Sequence, residues 1–93
     1  MVFAYNVFDG DYWGGLFNSN HNPHNQHNLY EGNISANFQC DGYFGSASDE
    51  TLFRNWFDTE IPFSRTNPTV KNTIWAIKLD RLSRRFSVIG NLI

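Results

Sequence analysis

Basic residues are missing from the first 53 positions of this 93-residue chain. Asp9, Asp11, Glu31, Asp41, Asp49 and Glu50 stand there unopposed, and all seven Lys and Arg come from Arg54 onward, against Asp58, Glu60 and Asp80. The basic residues are scattered, so they form no stripe suited to nucleic acid. They read instead as segments that neutralise acidic ones packed beside them. Long apolar runs are missing as well: nothing approaches the roughly 18–20 residues of a membrane span. The opening Met1-Val2-Phe3-Ala4-Tyr5 lacks the basic and long apolar regions of a signal peptide. One cysteine, Cys40, excludes an internal disulfide and leaves the redox compartment open. It reads as a small buried hydrophobe or as a reactive thiol. Helical periodicity is also absent, because Gly, Pro or Asn interrupts every window in which apolar residues recur at helical spacing.

What is present is apolar, aromatic and short-period. Hydrophobic residues make up 41% of the chain and aromatics 17%, enough for the core of one small domain. Strand-like segments run over 2–8, 29–34, 36–40, 51–57, 73–79 and 86–93. Asp9-Gly10, Gly14-Gly15, the Asn/His/Pro stretch 18–28, Asp41-Gly42 and Asn67-Pro68 separate them.

An Asn-terminated tetrad recurs four times: Phe3-Ala4-Tyr5-Asn6, Tyr30-Glu31-Gly32-Asn33, Leu52-Phe53-Arg54-Asn55 and Val88-Ile89-Gly90-Asn91. An apolar residue follows each Asn. The spacings of 27, 22 and 36 residues are irregular, as in a solenoid with loops inserted in some turns, the longest around Arg65 to Asn72. Stacked about 4.8 Å apart, the four Asn side chains would form an amide ladder beside a Phe3/Tyr30/Leu52/Val88 core column. Asn also tolerates the left-handed backbone of a sharp corner. The fold expected is therefore all-β, a parallel β-helix of about three to four coils with irregular loops.

Several of these segments resemble a known group. His27-Asn28-Leu29-Tyr30-Glu31-Gly32-Asn33, Asp41, Gly45-Ser46-Ala47-Ser48, Thr51-Leu52-Phe53-Arg54-Asn55 and Phe86-Ser87-Val88-Ile89-Gly90-Asn91 are similar to bacterial right-handed parallel β-helix proteins of the pectate-lyase-like superfamily. The resemblance implies a right-handed coil, an extracellular or surface location, and polysaccharide as partner. Residues 1–93 then form a partial domain of a larger protein, continued by further coils or self-associating through open ends. The function expected is a mainly structural, carbohydrate-binding piece. A polysaccharide lyase or hydrolase fragment and a non-catalytic adhesin or scaffold coil are the alternatives. The calcium-binding acids and basic catalyst typical of the lyases form no complete set here.

Candidate chemistry rests on a few side chains. His21, His24 and His27 are spaced every three residues in a loop and could ligate zinc, or could simply be polar loop residues. Asp9, Asp11 and Asp41 follow turn signals, where stacked carboxylates could hold calcium or act as paired acids on a glycoside. Asp-Gly is equally a turn dipeptide. Asp41 and Arg54 are the catalytic candidates, Arg54 to orient a uronate or take a sugar proton. Otherwise Arg54 pairs with Glu31 or Glu50. Tyr12, Trp13, Tyr43, Phe44, Trp56 and Phe57 include rings outside the inward columns that can stack on sugar faces.

Overall fold

A computed structural model describes residues 1–7, 16–21, 23–58 and 75–93. Asp9, Asp11, Tyr12, Trp13 and the expected 65–72 loop lie outside those residues. Nine short strands are described: β1 (Val2–Ala4), β2 (Leu16–Asn20), β3 (Leu29–Glu31), β4 (Ile34–Ser35), β5 (Asn37–Cys40), β6 (Thr51–Phe53), β7 (Trp56–Phe57), β8 (Ile77–Leu79) and β9 (Ser87–Ile89). They pair in parallel as β1-β3-β6-β9, β2-β5-β8 and β4-β7.

This corrects the expected right-handed parallel β-helix. The described strands form three separate sheets of four, three and two strands, with no closed solenoid. The third sheet is the weak wall, because each of its strands has two residues and only the single bridges Val7–Ile34 and Trp56–Leu92 extend it. The tetrads reported pairing between levels correctly but carried no information about how the sheets join.

Register within the first sheet is the one the tetrads specify. Phe3 faces Tyr30, Tyr30 faces Leu52, and Leu52 faces Val88. The expected long strands over 2–8, 29–34, 51–57 and 86–93 are nevertheless broken. Tyr5, Gly32, Arg54 and Gly90 all adopt left-handed backbone, with φ of 57°, 62°, 54° and 62°. The corner therefore falls on the residue before each Asn, not on the Asn itself. Turning there carries Val7, Trp56 and Leu92 out to solvent, where a straight strand would have placed them inward. Tyr5 and Arg54 tolerate a conformation that suits Gly because the pairing on both sides holds the corner in place. Gly32 is doubly constrained, since a Cβ there would lie 2.7 Å from the Tyr5 ring.

Each Asn occupies the turn just past that corner. The Asn33 side-chain oxygen accepts from the Asn6 backbone N–H and amide, both at 3.1 Å. Asn55 does the same for Asn33 at 3.0 Å, and Asn91 for Asn55 at 2.9 Å. The amides of Asn33, Asn55 and Asn91 also donate back to the carbonyls of Phe3, Tyr30 and Leu52. This satisfies polar groups that would otherwise be buried at a high cost, as Asn33 and Asn55 are.

The core is narrow and aromatic. Tyr30 stacks on Phe3 and meets Phe17 and Phe38 edge-on at centroid distances of 5.0 and 5.1 Å. Leu52, Phe57, Cys40 and Ala47 complete it. Glu50 is also fully buried, its carboxylate accepting from the Asn28 backbone N–H and amide at 3.2 and 3.1 Å. Burial pushes its carboxyl above the ordinary glutamate value.

Candidate functional site

The three strands of the second sheet end at one level of the surface, and each is followed by polar residues: His21 after β2, Asp41 after β5 and Asp80 after β8. Stacked parallel strands bring such residues onto one face whatever their separation in sequence. With Gln39, Gly42, Tyr43 and Arg81 they line an open pocket of about 610 Å³.

Asp41 is the organising group and is 7% exposed. One of its oxygens accepts from the Asn18 amide at 2.6 Å and lies 2.8 Å from His21 Nδ1. The other accepts the Tyr43 backbone N–H at 3.1 Å. Burial alone would raise its carboxyl, but the hydrogen bonds from Asn18, His21 and Tyr43 outweigh burial and hold it below the usual value. A register shift between Asn18 and Asn20 in β2 turns both side chains toward this loop. Buried Asn20 donates to the carbonyls of Asp41 and Gly45, fixing the loop from beneath. Gly45 allows a close approach, since a Cβ there would come within 3.2 Å of Pro23.

Rings form one wall of the site. The His21 imidazole lies nearly parallel to Tyr43 and edge-on to Phe44, at 6.0 and 5.2 Å between centroids. Tyr43 and Phe44 are 78% and 54% exposed, so their outer faces are open to a ligand. On the next strand Asp80 accepts the Gly42 N–H at 3.3 Å and pairs with Lys78 at 3.3 Å.

The structure joins His21 to Asp41, two residues whose sequence contexts point to different chemistries, metal ligation and carboxylate catalysis. His24 and His27 are exposed residues at positive φ, and the His27 carbonyl accepts the chain's amino terminus. Among the described residues no group of three or more His, Cys, Asp or Glu is placed to hold a metal ion. Arg54 is an exposed corner residue with its guanidinium over the Phe53 ring, and it does not line the Asp41 pocket. Of its two expected partners, Glu50 is engaged by Asn28 instead. Asp80, Gln39 and the orienting Asn18 were not picked out from sequence. The signal that could have found Asp80 is the alignment of Asn20-His21, Cys40-Asp41 and Leu79-Asp80, which the tetrads alone do not supply. No protein-family model matches the chain, and neither does any curated protein or solved structure.

Proposed function

We propose that this protein binds carbohydrate at the face formed by His21, Gln39, Asp41, Tyr43, Asp80 and Arg81. The observation that carries this reading is the pairing of an exposed Tyr43/Phe44 wall with fixed polar groups around one open pocket. Sugars present flat C–H faces to rings and a rim of hydroxyls to acceptors and donors, and this surface offers both. Asp41 is anchored by three hydrogen bonds, so its acceptor geometry is set before a ligand arrives. This reading places the protein where polysaccharide is, at or outside a cell surface.

A second reading, glycan cleavage, draws on two carboxylates, Asp41 and Asp80, lining the same pocket as an imidazole. Paired carboxylates about 5–10 Å apart are the usual apparatus of glycoside hydrolysis.

One experiment addresses both. The chain is titrated calorimetrically with neutral and acidic oligosaccharides, and the same mixtures are assayed for new reducing ends and for unsaturated products. Binding that is lost in Tyr43→Ala and Asp41→Asn, with the oligosaccharides unchanged, supports the binding reading. New ends that disappear in Asp80→Asn support cleavage. No heat with any glycan, or heat unaffected by both binding-face variants, overturns the proposal.

A further inference from the structure

We infer that the β9 edge binds the β1 edge of a second copy of this chain, head to tail. The edges carry the two ends of one ladder. Asn91 gives its side-chain oxygen to Asn55, while its own N–H has no following Asn to donate to among the described residues. At the other end Asn6 donates to Asn33, and its amide turns back to the carbonyl of Ala4, two residues away. Asn33, Asn55 and Asn91 instead send that amide to the tetrad-opening carbonyl of the preceding level.

Continuing the observed register by one step supplies each missing partner. Val88 falls against Phe3 of the incoming copy and Leu92 against Val7, as Phe3 meets Tyr30 and Val7 meets Ile34 within one chain. The Asn91 N–H and amide then reach the Asn6 oxygen, and the Asn6 amide leaves Ala4 for the Val88 carbonyl. The Ala4 carbonyl so released takes the Gly90 N–H, as the Ile89 carbonyl takes the Arg54 N–H. The corner column supports the same occupant. Its order of large and small residues, Tyr5, Gly32, Arg54, Gly90, continues in alternation if another Tyr5 comes next. Apolar residues are exposed at both edges: Val2, Tyr5 and Val7 at one, Val88, Ile89, Leu92 and Ile93 at the other. Neither β1 nor β9 carries a charged side chain that would oppose the contact. An unpaired strand edge of this kind is a template for further pairing, and here the template matches the chain's own first strand.

The contact is weak by construction. The last level carries β9 and the Leu92 bridge but no described strand of the β2-β5-β8 sheet, so β2 of the incoming copy stands clear of β8. Association is then concentration-dependent and can repeat, because a heterologous contact does not close on itself.

Sedimentation velocity on the 93-residue chain, Val7→Lys and Leu92→Lys tests this, with circular dichroism and urea midpoints checking that both variants keep the fold. The weight-average mass of the wild-type chain is expected at least to double between micromolar and millimolar concentration. Each variant alone stays monomeric, since every contact it can make sets the new lysine in place of one of the two apolar residues that meet at the seam. A mixture of the two forms dimers and nothing larger, because only the intact tail of Val7→Lys and the intact head of Leu92→Lys fit. A wild-type chain that remains monomeric, a single variant that still assembles, or a mixture that does not dimerise would each overturn the inference. A monomeric wild type would leave the edges to further strands of a longer chain.

Discussion

Replacing Asn55 by Ala is expected to cost far more than replacing Asn6, although both occupy the same place in the repeat. The Asn55 oxygen accepts two donors from buried Asn33, and its amide donates to the Tyr30 carbonyl and to Asn91. Alanine leaves the Asn33 N–H and one amide proton without that acceptor, in a place water does not reach. At about 1–3 kcal/mol for each stranded buried donor, the loss is roughly 2–6 kcal/mol. A chain of this length has about 5–14 kcal/mol in total at the usual stability per residue. Asn6 is exposed, and its removal deprives Asn33 of one donor while the backbone N–H of residue 6 remains. That change should stay within about 1 kcal/mol.

Urea unfolding followed by tryptophan fluorescence measures both. Asn55→Ala should lower the midpoint by roughly 1 M or more at the slopes typical of small domains, and Asn6→Ala by much less. Asn55→Asp sharpens the test. It keeps an acceptor for Asn33 but places a second oxygen where an amide faced the Tyr30 carbonyl and the Asn91 oxygen. It should be at least as damaging as Ala at neutral pH and should recover as acid protonates the new carboxyl. Equal costs for Asn55→Ala and Asn6→Ala, or an Asn55→Asp variant as stable as wild type, would refute the reasoning that the ladder holds the levels together.

Glu50 supplies a pH dependence of definite sign. Burial raises its carboxyl above 4.5, so the native chain holds the proton more tightly than the unfolded chain does. The stabilisation is complete below 4.5 and is lost as pH climbs through the raised native value. Asp41 works the opposite way, contributing stability that fades as pH falls below 3.8. Urea midpoints measured upward from pH 4.5 should decline in wild type and flatten in Glu50→Gln; identical slopes would sink the assignment. Cys40 is fully buried, and burial pushes its thiol up to about 11, despite the Ser19 hydroxyl at 2.6 Å. Its reaction with a disulfide reagent should run on the order of a thousandfold or more slower than in urea, tracking global unfolding. Labelling at the rate of a free thiol without denaturant would show that the core opens locally.

Sequence reasoning was strongest where one physical cause fixed both residue type and spacing. The tetrads carried the Phe3/Tyr30/Leu52/Val88 register and the Asn ladder because parallel pairing repeats both from level to level. It failed at the corner. Tyr5 and Arg54 share left-handed backbone with Gly32 and Gly90, and neither residue type announces it. With the corner set on each Asn instead of the residue before it, each pair of short strands read as one long strand, and three separate sheets read as a continuous coil. The site was half legible. Asp41 and His21 attracted attention as acid and imidazole, but their contact depends on the shift in β2 and on the pairing of β2 with β5 across about 20 residues. Asp80 enters only through the β5–β8 pairing.

Arg54 shows why position in this architecture limits function more than residue type does. A catalytic arginine needs its guanidinium held against substrate by surrounding groups. This one projects from a turn, lies over the Phe53 ring 4.6 Å from its centroid, and rests its stem near Gly90. Its neighbours in the column are Gly32, which the Tyr5 ring covers, and Gly90. Large side chains here shield the small corner of the next level, a packing task that Tyr5 and Arg54 share despite their different chemistry. The ends of β2, β5 and β8 face no such demand. There the strands stop, the Asn20 amide holds the carbonyls of Asp41 and Gly45, and successive levels can set His21, Asp41 and Asp80 side by side. Corners that repeat hold the levels in register, and the strand ends, which do not repeat, carry the face proposed to bind carbohydrate.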